Sequence, residues 1–120
     1  MRTVIIGGPR TGKTTRAGAE GGEVLHTDSL AAGRDWSAQS TAAVHALGAS
    51  ASGTMEGVTA VRALRKWLAA HPEGKPCERV VRLTQAHQPL TPGQASLAKG
   101  CDTVFREIEP ELRRRGVRIE

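Results

Sequence analysis

Aromatic residues are almost missing from this sequence: Trp36, Trp67 and Phe105 are the whole set, and tyrosine is absent. A platform that stacks successive bases, as RNA-recognition and single-strand-binding modules use, has too few rings to be built from. Cysteine is scarce too, with only Cys77 and Cys101. No metal-ligand spacing joins the cysteines or His26, His45, His71 and His87, so structural or surface roles are expected for the histidines. Two unpaired thiols and no signal-peptide pattern point to a reducing, cytoplasmic setting, with Cys77 placed in an exposed turn after Pro76. Long apolar runs are lacking as well. The run from Val4 to Ile6 is broken by Gly7, far short of what crosses a bilayer, so no membrane partner is expected. Acidic residues are the minority, 12 against 17 Lys and Arg, and the resulting net charge of +5 favours anionic partners. At 120 residues with 38% hydrophobic and 24% charged side chains, the expectation is one folded domain over residues 1–120 with a lean core.

What is present is concentrated at the start. Residues 3 to 6 read Thr-Val-Ile-Ile, a β-branched run suited to a strand buried on both faces of a parallel sheet. It leads directly into Gly7-Gly8-Pro9-Arg10-Thr11-Gly12-Lys13-Thr14, which matches Gly, four residues, Gly, Lys, then Ser or Thr at every required position. Composition alone predicts roughly 0.007 such matches in a chain of this make-up. The spacing has a physical reason. Glycines let the backbone curl until successive N–H groups point at phosphate oxygens, beside the positive end of the following helix. Gly8, Pro9, Arg10, Thr11 and Gly12 form this cradle, and Lys13 brings a point charge to the β and γ phosphates. Thr14 supplies a hydroxyl for Mg²⁺, and Thr15 and Arg16 open the helix. Nucleotide phosphate binding, with ATP or GTP as ligand and Mg²⁺ as cofactor, is the expectation.

The remaining pattern frames that loop. Glu23 to Thr27 reads as a second strand that delivers Asp28 at its carboxyl end, where ligands sit in open α/β sheets. Ser37 to Leu47 reads as a helix capped by Asp35 or Ser37, with Trp36 at its entry. Thr54 to Val58 is a weaker strand, and Thr59 to His71 an amphipathic helix with Val61, Leu64, Trp67 and Leu68 on its apolar stripe. Pro72 to Pro76 is a turn and Glu78 to Thr84 a fourth strand. Thr91 and Pro92 read as N-cap and first residue of a helix stopped by Gly100. A further helix from about Asp102 buries Val104, Phe105, Ile108 and Leu112, with Pro110 bending it or splitting off its last turn. Gly116 ends it, and Val117 to Ile119 form an edge strand. Alternating strands and helices imply parallel crossovers with helices on both faces of a mostly parallel sheet of four or five strands.

With Gly7 to Thr14, Asp28 after the second strand, Glu56-Gly57 after the third, and the basic helix Arg62 to Lys66, the chain resembles the P-loop kinases. That group holds adenylate-kinase-like, zeta-toxin-like and polynucleotide-kinase-like enzymes, and the likeness extends to the very short P-loop proteins of phage and prophage genomes, usually called simply ATPases. The resemblance implies a single three-layer α/β P-loop NTPase domain with a reduced lid. It also implies Asp28 as the group that takes the proton from an acceptor hydroxyl, with Lys13 as its catalytic partner. Glu56 either holds Mg²⁺ through water or orients the acceptor, or is a turn carboxylate. Arg62, Arg65 and Lys66 either face an anionic acceptor, for which Arg62 and Lys66 are the candidate ligands, or form a solvated helix face. Arg113, Arg114 and Arg115 read as complements of a helix dipole.

Related kinases close an arginine-bearing lid over the phosphates, yet Gln85 to Gly100 holds no arginine and one lysine, Lys99. Lys99, Arg106 or Arg10 is left as a substitute. Arg16 is the candidate to stack on the base, and weak selectivity between ATP and GTP is expected. Three activities fit: a phosphotransferase acting on a small anionic acceptor such as a nucleoside or nucleotide; a kinase of nucleic-acid 5′ ends; and a nucleotide-binding switch or ATPase.

Overall fold

The computed structural model describes residues 2–8, 11–20, 24–27, 53–57, 59–84, 86 and 88–120. Pro9, Arg10, Asp28, Asp35, Trp36 and the helix expected over 37–47 lie outside them. Five strands, β1 (Arg2–Gly7), β2 (Val24–His26), β3 (Gly53–Glu56), β4 (Arg79–Leu83) and β5 (Arg118–Ile119), form one sheet in the order β2-β3-β1-β4-β5. Every pairing is parallel, including the two-residue edge strand β5 against β4. Among the described residues the helices are α1 (Lys13–Glu20), α2 (Ala60–Ala70) and α3 (Pro92–Arg114).

Strand alternation distributes the core between two faces. Val4, Ile6, Met55 and Val80 point to the face covered by α2 and α3, where they meet Leu64, Trp67, Phe105 and Leu112. Ile5 and Val81 point the other way and pack on Ala17 of α1. The β1 run is therefore buried on both sides, as its lack of polar alternation requires. The stripe of α2 behaves as its period predicts: Val61, Leu64, Trp67 and Leu68 are all buried.

Gly100 does not stop a helix. The chain stays helical from Pro92 to Arg114, and the expected pair of helices is one. The Thr91 and Pro92 start is confirmed, with a reciprocal capping box between Thr91 and Gln94. Glycine leaves room here for α2: a Cβ at Gly100 would stand 3.1 Å from the Arg62 guanidinium. Pro110 does not split off the last turn either. The missing amide costs about 3 kcal/mol in a helix interior, and buried Phe105, Ile108 and Leu112 on either side offset it.

Arg113 pairs with Glu109, and Arg114 with Glu111. Arg115 also reaches Glu111, and it donates to the carbonyls of Leu68, His71 and Gly74, serving the carboxyl end of α2 more than that of its own helix. The side-chain hydrogen bonds from Arg114 and then Arg115 hold the Glu111 carboxyl down at about 2. Because this folded value lies below the ordinary 4.5, the stabilisation is complete above 4.5 and is lost as pH falls toward 2. Melting temperatures of the native chain should thus drop across that window more steeply than those of Glu111→Gln.

Cys77 is not in an exposed turn. It is fully buried where the chain enters β4, and burial pushes its thiol up to about 12. Thiolate is the reactive form, so Cys77 should resist alkylation at pH 8 in the native chain and react on denaturation, as mass spectrometry of the labelled protein would record.

Candidate functional site

β1 ends at Gly7 and α1 begins at Lys13, with Gly8, Thr11 and Gly12 described between them. Side chains close this turn from within. The Gly8 carbonyl accepts a hydrogen bond from Thr11 Oγ1 at 2.9 Å and another from Lys13 Nζ at 2.6 Å. Thr11 and Lys13 are both buried, the latter only 8% exposed. A desolvated ammonium needs close oxygens, and the curled backbone supplies one. Gly12 takes φ +84°, the left-handed region in which a side chain is strained. The two preceding glycines are needed for space: a Cβ on Gly7 would lie 2.6 Å from the Leu83 carbonyl, and one on Gly8 would lie 2.5 Å from Ala98 Cβ. α1 then begins, its first regular hydrogen bond running from the Arg16 amide to the Gly12 carbonyl, so the early amides of the helix face the turn.

Glu56 ends β3, the neighbour of β1, in register with Ile5. Ile5 packs on the α1 side, so Glu56 shares that face at the carboxyl edge. Its side chain is 4% exposed, and its carboxylate meets His26 Nδ1 at 2.5 Å. His26 ends β2 directly opposite Glu56 in the ladder and is 45% exposed. The buried carboxylate thus reaches the surface through an imidazole. His26 was expected to be structural or superficial; the pair depends on β2 lying beside β3, which no local pattern in the sequence encodes.

The basic helix separates its charges. Arg62, in the first turn of α2, directs its guanidinium between α2 and α3, where Nη1 is buried without a hydrogen-bond partner and Nη2 abuts Gly100. Cys101, facing it, is raised by burial and lowered by Arg62 and then by Lys13, which places both cations near one thiol. Arg65 is turned away and pairs with Glu107 of α3 at 3.3 Å. Lys66 lies four residues after Arg62 on the same face of α2, about 6 Å farther along the axis. Arg65 is therefore the cation turned away from the other two, and Arg62 is the member near the turn.

The stretch expected as a lid is mostly the amino half of α3, and Ala98 packs against Gly8. Lys99 is exposed. Arg106 is 75% exposed and pairs with Asp102 at 3.0 Å. Arg82, at the end of β4, was missed by the sequence reading: it pairs with the same Asp102 and lies over the Phe105 ring at 4.7 Å.

Among the described residues no group of three or more His, Cys, Asp or Glu side chains forms a metal site, and no helix is long and apolar enough to cross a membrane. No protein-family model matches the sequence, and no curated protein matches it.

Proposed function

We propose that residues 7–14 bind the triphosphate of ATP or GTP with Mg²⁺, and that the chain is a P-loop phosphotransferase moving the γ-phosphoryl group to a small anionic acceptor, a nucleoside or nucleotide. The observation that carries this reading is Lys13: a buried ammonium folded onto the Gly8 carbonyl, within a complete Gly-x4-Gly-Lys-Thr turn at the end of the central strand. The Nζ–carbonyl contact keeps the cation poised inside the turn, where phosphate oxygens replace the carbonyl as partner. Further support comes from Glu56, a buried carboxylate at the edge of the strand beside β1. Its carboxylate, like the hydroxyl that the motif supplies at Thr14, is an oxygen donor of the kind a hard cation takes.

When bound, Mg²⁺ supplies neutralisation of charge on the β and γ oxygens. The chain's own groups do the rest. Lys13 and the first amides of α1 hold the triphosphate, Arg62 adds positive potential from the α2 side, and Asp28 takes the proton of the acceptor hydroxyl. Because little covalent work falls to the protein, this positioning accounts for most of the rate.

The test is ³¹P NMR of ATP and Mg²⁺ with nucleosides, nucleoside monophosphates and 5′-hydroxyl oligonucleotides, using the native chain, Lys13→Ala and Asp28→Asn. A new phosphoester resonance on a nucleoside or nucleotide, absent with both variants, is the expected outcome. ADP and inorganic phosphate alone across the panel, or ATP left intact, would remove the transferase assignment, and a signal on the oligonucleotides only would reassign the acceptor.

A further inference from the structure

A cavity of about 140 Å³ opens between the carboxyl ends of β1 and β4 and the amino half of α3. Leu83, Ala98 and Phe105 give it apolar walls, and Cys101 lines it together with Gly8 and Thr11 of the glycine turn. Arg62 of α2 faces the same thiol: its guanidinium hydrogen-bonds to Cys101, and its Nη1 is buried with no hydrogen-bond partner. Burial raises the Cys101 thiol, and the charges of Arg62 and then Lys13 work against that rise. The other thiol has none of this. Cys77 is fully buried at the entry to β4, lines no part of the cavity, and is pushed up to about 12.

Two properties of the cavity select what can reach Cys101. The first is size: a cavity of roughly 150 Å³ takes benzene, so a fragment of about five non-hydrogen atoms, such as a mercaptoacetate group, fits, and one of about twenty, such as glutathione, does not. The second is charge. Arg82 and Asp102 pair in the wall, Arg106 pairs with the same carboxylate, and Arg62 and Lys13 adjoin the thiol. The described charges around the cavity are therefore positive in sum, which draws anions in and holds cations off. The glycine turn shares the wall. Ala98 packs so closely on Gly8 that a Cβ there would lie 2.5 Å from the alanine methyl, so whatever fills the space beside Cys101 presses on the turn.

We propose that Cys101 is a thiol-exchange site in the wall of this cavity, taking a short anionic thiol as a mixed disulfide, and that the adduct closes the glycine turn to phosphate. The second half rests on the nucleotide reading of residues 7–14. In the exchange the Cys101 proton goes to solvent and the thiolate attacks one sulfur of a small disulfide. The S–S bond of that disulfide breaks, a new one forms to Cys101 Sγ, and the other half leaves as a thiolate. The small disulfide is the oxidant, and a reducing thiol reverses the step. The bound group then occupies the space that Gly8 and Thr11 share with Cys101, and its negative charge stands near Lys13 where phosphate is otherwise drawn.

Peptide mapping by mass spectrometry of the full native chain, treated in parallel with dithiodiglycolate, cystamine and glutathione disulfide, tests the site. Relative to their rates with the denatured chain, dithiodiglycolate should label Cys101 about tenfold faster than the cationic cystamine, glutathione disulfide should leave it unlabelled, and Cys77 should stay free. Labelling of Cys77 as fast as Cys101, equal relative rates for the three reagents, or no label on Cys101 overturns the site. Calorimetry with Mg²⁺ and tripolyphosphate tests the consequence. The mercaptoacetate adduct, shown by its unfolding curve to be folded, should bind about tenfold more weakly than the untreated chain and recover on reduction with dithiothreitol. Cys101→Ala should bind as the untreated chain does and ignore the reagent. Unchanged affinity in the folded adduct overturns the coupling while the phosphate reading stands. If the untreated chain does not bind tripolyphosphate, the phosphate reading falls and the coupling with it, and the mapping alone decides the thiol site.

Discussion

Lys13→Ala should lower the affinity for Mg²⁺ and ATP by about a hundredfold, the loss of a charge-assisted contact or two to phosphate, and should reduce turnover by a further 10² to 10³, on the order of one removed transition-state donor. Its melting temperature should nevertheless stay close to that of the native chain. The Gly8 carbonyl keeps its bond from Thr11 Oγ1, and removing an ammonium that is 8% exposed relieves a desolvation cost along with the contact it made. Lys13→Arg should not restore binding, since a planar guanidinium does not fit a turn closed around a point charge. Calorimetry and thermal unfolding on the same samples separate the two effects. Unchanged affinity in Lys13→Ala would mean that the turn is only a turn.

Gly57→Ala should destabilise the fold by about 2–5 kcal/mol, a large part of the roughly 5–15 kcal/mol such a domain has. The residue follows Glu56 with φ +144°, a conformation that costs a side chain about 1–3 kcal/mol. Its Cβ would also stand 1.6 Å from Thr27 Oγ1 and 2.8 Å from Thr27 Cβ. Thr27 is fully buried, so it has nowhere to move without shifting the end of β2. The same displacement parts His26 from Glu56, whose 2.5 Å contact depends on that register. The melting temperature should fall by about 10 °C or more, and Thr27→Ala in the Gly57→Ala background should recover part of it. A single variant that melts within about 1 °C of the native chain would show that the β2–β3 junction yields more easily than its packing implies.

Where local chemistry decides the outcome, the sequence is readable. The unbroken β-branched run of β1, the glycine turn and the helix opening at Lys13 follow from residues that are neighbours in the chain. The stripe of α2 and the Thr91-Pro92 start of α3 do as well. Readability ends where distant residues decide. Gly100 and Pro110 resemble helix boundaries taken alone, but Arg62 lies against the first and a buried Phe105, Ile108 and Leu112 face holds the chain helical past the second. Cys77 follows a proline in a polar stretch, yet the entry to β4 buries it.

The candidate site divides the same way. Lys13 is found from spacing alone, whereas the His26–Glu56 contact exists because β3 separates β2 from β1, and Arg82 meets Asp102 because α3 folds back over β4. Arg62 and Arg65 share one basic helix, and they diverge once α3 stands beside them, one toward Gly100 and the other toward Glu107.

The central claim is that the amides and ammonium around the glycine turn hold phosphate. The measurement that tests it most directly is a ¹H–¹⁵N correlation titration of the native chain with Mg²⁺ and tripolyphosphate, a ligand with no base to bind elsewhere. The amides of Gly8, Thr11, Gly12 and Lys13 should shift first and furthest, and the shifts should vanish in Lys13→Ala. Saturating tripolyphosphate that leaves those four amides in place, or moves only residues remote from the turn, would contradict the account.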